Sequence, residues 1–415
     1  MFNNNWLRED LQSFSQFTDP NDLPSNLSSP PSDLALVGFG LSSTWTLIEF
    51  IEDLSSLLSS KTPPYNDRVF RILVFEQNSC LWGGIPYGPR SSFSSLLITP
   101  LDEFLPPGEL SPFIAWLHNN IDWLIVPFEK DIGFHSKKWL TNFYHCLSSG
   151  NIDKLHLPRY FFGVYLLDKL KSTISKFTAN LSIYFLNLEI VSVTPALKDA
   201  HSYQLDAANS QSFISHQILL GVGIPNIRPL LPSGASCDDI LYLNDPYFPN
   251  LSSSLTRIDN LFTLHKPVNI LVVGANASSL ELIYQISNLP SFSSADVFIT
   301  VLSPQGKLPP LYVSDKNSDF RALHLEKLSQ SEDEITADII LSEFKLDLAY
   351  ADAHNYDISD TLPVFTSHVG SLIARLSIAE KFRFSCFHGI EIGRLQRRAG
   401  SEYTSPIDDL IKSNK

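Results

Sequence analysis

The chain has 415 residues, 30 basic and 44 acidic side chains, and a formal charge of −14. With 44 % hydrophobic and 18 % charged residues it can build about two or three folded units and is not a disordered chain. The acidic balance argues against a nucleic-acid or anionic-membrane surface, since both need a basic stripe; a local basic pocket for a phosphate stays open.

Residues 1–33 are polar and end in the Ser/Pro-rich run Asn26–Ser32. They predict a mobile entry segment with neither the apolar core of a secretory leader nor the Arg-rich pattern of a transit peptide. Asp33–Val37 is a short apolar strand running into Gly38-Phe39-Gly40. Leu47, Ile48, Ile51, Leu54 and Leu58 then recur at helical spacing, so Thr44–Leu58 reads as a helix. Lys61–Arg68 is a Pro-containing loop, and Val69–Glu76 is the next strand. A helix is expected over Pro158–Lys176, followed by β-like segments at Leu181–Val193, Ser202–Leu205 and Ser215–Leu220. The opening pattern then recurs: strand Pro267–Gly274, turn Ala275–Ser279, helix Leu280–Leu289, strand Ala295–Ser303. Short apolar strands flanking helices favour a parallel sheet, and two such units predict an α/β chain with two Rossmann-like dinucleotide-binding domains.

No apolar run approaches the ~18 residues of a membrane span. The four cysteines, Cys80, Cys146, Cys237 and Cys386, form no CxxC pair, so a zinc knuckle is excluded and reduced thiols in a cytoplasmic protein are expected. Asn26, Asn180, Asn250 and Asn276 fit the glycosylation sequon, and without a leader these matches read as chance. The histidines show no HExxH spacing, so no metal site is expected. There is neither a GxSxG elbow nor a phosphate-binding GxxxxGK[ST] loop. Glu332-Asp333-Glu334 reads as a solvated loop.

Gly38-Phe-Gly40-Leu-Ser42-Ser43 matches GxGxxG with Ser43 at the third glycine. The first glycine permits the tight turn, the second lets backbone approach a pyrophosphate, and the third lets helix and strand pack closely. The following helix start offers free N–H groups to phosphate oxygens, and Glu76 ends the next strand where an acid would bind ribose hydroxyls. Gly274-Ala-Asn276-Ala-Ser278-Ser279 repeats the first glycine but places Asn276 at the second. After the next strand, Ser303 and Lys307 are the groups available to a 2′-phosphate. Gly83-Gly84-Ile-Pro-Tyr87-Gly88 could lay backbone against a flat ring, or be a plain Gly/Pro loop. Leu219-Leu-Gly221-Val-Gly223-Ile-Pro225 could pass the chain between domains, or be an ordinary strand end.

Taken in order over about residues 34–310, these segments resemble the FAD/NAD(P)-binding oxidoreductase superfamily. The similar branch is that of two-dinucleotide-domain flavoproteins related to N-hydroxylating monooxygenases. Phe113-Ile-Ala-Trp-Leu, Pro158–Leu166 and Asp245-Pro-Tyr-Phe-Pro add to the resemblance. It implies FAD and NADP or NAD as cofactors. It also implies an FAD-binding domain over 34–265, an inserted NAD(P)-type domain over 266–345, and a return of 346–415 to the FAD domain. Gly38, Gly40, Ser42, Ser43 and Glu76 would hold the FAD adenosine and pyrophosphate. Gly83, Gly84, Tyr87, Gly223 and the Arg159–Tyr165 segment would lie near the flavin. Gly274, Asn276, Ser278, Ser303 and Lys307 would form the nicotinamide-nucleotide site.

The chain departs from the family at Asn276, at Ser303-Pro-Gln in place of a Ser-Arg-Arg loop, and in lacking a C-terminal Gly-Asp element. Arg394, Arg397 and Arg398 crowd the tail and default to surface pairing. The resemblance implies an FAD-dependent oxidoreductase acting on a small-molecule substrate, with no nucleic-acid or membrane partner, no assigned catalytic side chain and no assigned oligomeric state. The alternatives are a degenerate member that keeps the fold and serves in binding or regulation, and a nicotinamide-only dehydrogenase.

Overall fold

The computed structural model describes residues 6–19, 31–59, 68–130, 133–177, 181–196, 201–224, 227–231, 240–264, 267–313, 316 and 318–415. Asn26, Asn180, Pro225, Cys237 and the 61–67 part of the expected loop lie outside them. Contacts divide the chain into two units. One comprises Met1–Leu97, Leu101–Leu264 and Asn288–Ser291; the other comprises Ile98–Pro100, His265–Ser287 and Phe292–Lys415.

The first unit runs α1 (Glu9–Phe14), β1 (Ser32–Val37), α2 (Leu41–Ser59), β2 (Phe70–Phe75), α3 (Gly84–Tyr87), α4 (Leu101–Phe104) and α5 (Pro107–Leu124). It continues with α6 (Val126–Glu129), α7 (Phe134–Ser149), α8 (Arg159–Lys176), β3 (Leu181–Leu186), β4 (Ile190–Pro195), β5 (Tyr203–Ala207), β6 (Ser212–Leu220) and α9 (Leu251–Leu264). The sheet order is β3-β2-β1-β6-β5-β4. β1 pairs in parallel with β2 and β6, and β2 with β3. β4, β5 and β6 form an antiparallel run. The central strands are apolar at successive positions because both faces are covered: Ala35, Leu36, Ile72, Leu73 and Val74 are all buried. One face carries the cluster of Ala35, Val37, Leu73, Phe75, Leu205 and Phe213. α8 is buried on nearly every side and packs along α2.

Three features differ from the sequence reading. The long β-like segment Leu181–Val193 is two strands, β3 and β4, broken at Asn187–Glu189. The helices α5 and α7 fall where no helix was predicted. Residues 6–19 of the expected mobile segment are packed. Leu7 and Leu11 are buried, and the Trp6 ring meets Trp82, Phe93, Trp123 and Tyr160 at 5.4–6.3 Å. Arg8 donates to Asn120 Oδ1 at 2.7 Å and pairs with Asp168 at 3.1 Å. A few apolar anchors and one guanidinium fasten a segment whose average composition is polar.

The second unit starts as one βαβ turn: β7 (Val268–Val273), α10 (Ala277–Ser287) and β8 (Val297–Leu302), with β7 and β8 parallel. It then becomes helical: α11 (Leu323–Gln330), α12 (Ala337–Ala353), α13 (Ile358–Arg375), α14 (Ile378–Arg383), a π turn at Phe384–His388, α15 (Gly389–Leu395) and α16 (Ser401–Lys412). Asp357 and Asp360 form a capping box that starts α13. Phe320, Leu325, Ile340, Phe344, Phe365 and Leu372 share a helical core. α16 packs on α10, with Tyr284 and Tyr403 5.3 Å apart. Residues 346–415 therefore sit in the second unit, whereas the sequence reading returned them to the first. Their apolar residues at helical spacing already had a helical core of their own to join.

Candidate dinucleotide-binding site

The first turn lies where β1 and β6 end side by side. Gly38 has φ +86°, and its N–H donates to Phe75 O at 2.8 Å. A Cβ there would stand 2.4 Å from Gly221 O, so the position excludes side chains on two counts. Ser43, in the third-glycine position, is buried, and its Oγ faces the Cα of Gly221. A Cβ on Gly221 would come within 1.9 Å of that Oγ. The close packing that the motif normally gets from its third glycine is thus supplied by Gly221, the residue just past β6. Gly223, the glycine expected near the flavin, has no neighbour among the described residues within 4 Å of where a Cβ would stand and is flanked by the exposed Val222 and Ile224.

Glu76 closes β2 and is buried. Its Oε2 accepts the Phe39 N–H at 2.9 Å, and its Oε1 accepts the Asn78 N–H at 2.9 Å and Nδ2 at 2.6 Å. Asn187 Nδ2 donates to the carbonyls of Glu76 and Asn78 at 2.9 and 2.8 Å. The carboxylate is fixed beside the glycine turn, with acceptor capacity left for hydroxyl donors. α2 starts at Leu41, so the early N–H groups of Leu41, Ser42 and Ser43 have no intrahelical partner. Ser42 is exposed at that end.

The Gly83–Gly88 loop is brought to the same turn. A Cβ on Gly84 would stand 3.1 Å from the Cα of Gly40. The loop itself is wound tightly: a Cβ on Gly83 would be 2.5 Å from the Gly88 N. α8 presses on it through Gly163, where a Cβ would be 2.3 Å from Tyr87 O. Tyr87 stacks on Phe104 with ring centres 5.9 Å apart. Phe39, Leu41, Trp82, Gly83, Gly163 and Leu167 line a slot here, too narrow for a water molecule. On α8, Arg159 Nε donates to Leu96 O at 2.8 Å. The Tyr165 hydroxyl donates to the buried Glu109, which Lys169 also contacts at 2.8 Å. Burial and the Glu109 carboxylate push the Tyr165 phenol above its ordinary range. Trp6, Trp82, Asn78 and Gly221 were not singled out as site residues, whereas Gly163 lies in the Arg159–Tyr165 segment expected near the flavin.

These residues fit an FAD. The glycines of two loops face one another with bare backbone, an acid closes the second strand, and a helix start points N–H groups outward. Among the described residues the buried Ser43 Oγ and Trp82 Nε1 have no hydrogen-bond partner, which marks the same corner as unsatisfied by protein alone.

The second turn is more open. Gly274 has φ +112°, and among the described residues a Cβ there would meet only Ser279 Oγ, at 3.4 Å. Asn276 is exposed just before α10, and its carbonyl accepts the N–H groups of Ser279 and Leu280. Ser278 and Lys307 are exposed. Ser303 Oγ accepts the Gly306 N–H at 3.1 Å, so it holds its own turn. The five residues line up along one end of a two-stranded sheet, without a buried cradle like that at Glu76.

Residues 35–225 match the model of the family described as FAD-NAD(P)-binding. This part of the chain is similar to that family. Over 400 residues the chain is 28 % identical to uncharacterized proteins of Mycobacterium bovis and Mycobacterium tuberculosis, covering 94 % of itself and 72 % of each. Among solved structures, a mutant flavin monooxygenase from Stenotrophomonas maltophilia aligns with 72 % of this chain and 63 % of its own, at 9 % identity and TM-score 0.32. Cyclohexanone monooxygenase from a Rhodococcus species, bound to NADP+, aligns with 68 % of this chain at 12 % identity and TM-score 0.30. The chain spans 40 % of that enzyme's length. No helix among the described residues is long and apolar enough to cross a membrane.

Proposed function

We propose that the protein is an FAD-dependent oxidoreductase whose flavin is reduced by NADPH or NADH and whose substrate is a small molecule. The observation that carries this reading is the corner made by Gly38, Gly40, Glu76 and Gly84, closed by Gly221 and Ser43. Glu76 would accept ribose hydroxyls while its other bonds to Phe39 and Asn78 keep it in place. The α2 N–H groups would face the pyrophosphate, offsetting its charge within an acidic protein. The Gly83–Gly84 backbone and Trp82 would lie against the ring system and exclude water from it. When bound, the isoalloxazine supplies hydride and electron transfer, so the chain needs no side-chain nucleophile.

The test is to incubate the purified protein with FAD, remove free cofactor by gel filtration, and read the visible flavin spectrum. Retained flavin that NADPH or NADH bleaches without oxygen is the expected result; a colourless protein overturns the reading. A second reading is favoured by Asn276 and the open second turn: a family member that keeps FAD but serves in binding or regulation. It gives a yellow protein that dithionite bleaches and nicotinamide nucleotides do not.

A further inference from the structure

The segment from α14 through α15 carries an apolar stripe that is exposed among the described residues. Ile378 is 88 % exposed, Phe382 71 % and Ile390 70 %, with Phe387 beside them at 67 %. Cys386 is exposed between Phe382 and Ile390. The residues 378, 382, 386, 390 and 394 are spaced by four. In an unbroken α-helix such a row drifts by about 40° at each step. The wider π turn at Phe384–His388 takes back part of that drift and holds the row on one side. Phe384 and Ile392 meanwhile stay on the opposite side, in the helical core.

The stripe is bordered by positive charge in a chain whose total is −14. Lys381 flanks its first turn, Arg394 continues it, and Arg397 follows. These three are exposed and make no ion-pair contact among the described residues, although Arg394 lies close enough to Glu391 to act on its charge. Arg383 is used by Asp338, and Glu391 is contacted by Lys345. Exposed Ile and Phe with exposed cations along one helical face is the pattern of a segment that lies in a lipid–water interface. The cations point to anionic headgroups rather than to an apolar partner alone. The net charge argued against such a surface because it averages over the chain; the folded distribution concentrates cations here.

We propose that this face docks the protein on an anionic lipid bilayer, with Phe382 and Ile390 entering the headgroup boundary and Lys381, Arg394 and Arg397 contacting phosphates. The experiment is co-sedimentation of the full chain with vesicles of phosphatidylcholine alone or mixed with phosphatidylglycerol. The wild type should sediment with the mixed vesicles only, and less as salt rises. Phe382→Ser with Ile390→Ser should weaken binding more than about tenfold. Charge reversal at Lys381, Arg394 and Arg397 should weaken it about fivefold or more per residue. All five side chains are exposed, and unchanged melting temperatures confirm that the variants fold. Wild-type protein left in the supernatant of mixed vesicles overturns the proposal, as do variants that sediment like the wild type. Light scattering supplies the other arm: a wild-type dimer that Phe382→Ser with Ile390→Ser turns into a monomer assigns the face to a second copy of this chain and overturns lipid docking.

Discussion

The two glycine turns look alike as sequence and differ as structure. At Gly38 the space for a Cβ is taken by backbone, at 2.4 Å from Gly221 O; at Gly274 the nearest atom is a hydroxyl at 3.4 Å. The first turn ends a six-stranded sheet whose Leu36 and Val74 are fully buried. The second ends a pair of strands whose Leu271 and Leu302 are 61 % and 56 % exposed. A turn becomes a binding site when its surroundings fix it. The first has an acid, a second glycine loop and a neighbouring strand end to do so, and the second has a helix start and an exposed lysine.

The comparison breaks most readily at the glycines themselves. Gly38→Ala should cost about 3–5 kcal/mol, because left-handed strain adds to a backbone clash. Gly274→Ala carries the strain alone and should cost about 1–2 kcal/mol. Urea unfolding of both variants gives the two numbers, and equal costs would remove the structural distinction between the turns.

The partnership of Ser43 with Gly221 gives a sharper test. Gly221→Ala alone should be strongly destabilising, since its Cβ meets Ser43 Oγ. With Ser43→Gly the nearest contact to that Cβ becomes Gly38 O at 3.1 Å, and much of the loss should return. A coupling of about 1–3 kcal/mol in the double-mutant cycle is expected. Simple additivity would mean that Gly221 does not stand in for the third glycine. Glu76→Ala leaves the Phe39 N–H without its acceptor and should cost about 1–3 kcal/mol. The same variant should lose FAD in the gel-filtration assay; full retention would remove Glu76 from the site.

Buried titratable groups offer a pH test of the same closed first unit. His156 is buried, and its Nδ1 lies 3.0 Å from Leu97 O. Burial holds its pKa below the ordinary 6.5, although the Leu97 carbonyl and Asp102 pull the other way. The folded chain therefore binds this proton less readily than the unfolded chain. Stability is full above about pH 6.5 and falls as pH drops below it, by up to about 1.4 kcal/mol per pH unit. His156→Gln should flatten the melting temperature over that range, and an unchanged slope would assign the pH dependence to other groups.

Much of the first unit was legible because strand, turn, helix and terminal acid follow one another within a short stretch of chain. Leu47, Ile48 and Ile51 gave α2, and Val69–Glu76 gave β2. Two supports of the site were not legible, because they come from far along the chain: Gly221 meets Gly38 and Ser43, and Trp6 meets Trp82, only in the folded chain. Composition misled by averaging in one place: a polar N-terminal segment hid Trp6 and Leu11. The helices past Ser303 carry no glycine motif, so nothing in that motif marks them.

The smallest effect on stability comes from the change that says most about the second turn. Asn276 stands exposed at the start of α10, where exchange for glycine costs only a few tenths of a kcal/mol. Pro304 and Gln305 are exposed in the turn that Ser303 caps, so arginine at both should stay within about 0.5 kcal/mol. Asn276→Gly with Pro304→Arg and Gln305→Arg is therefore nearly silent in urea unfolding. It opens the backbone to a pyrophosphate and adds two forked cations where a 2′-phosphate would sit. If the second turn is a weakened nucleotide site, NADPH should bind at least about tenfold more tightly, since each charge-assisted bond is worth about 1.5–3 kcal/mol. Titration calorimetry reads that directly. An unchanged affinity in a fully folded variant would mean that the open sheet end, rather than the missing glycine and arginines, is what separates this turn from the first.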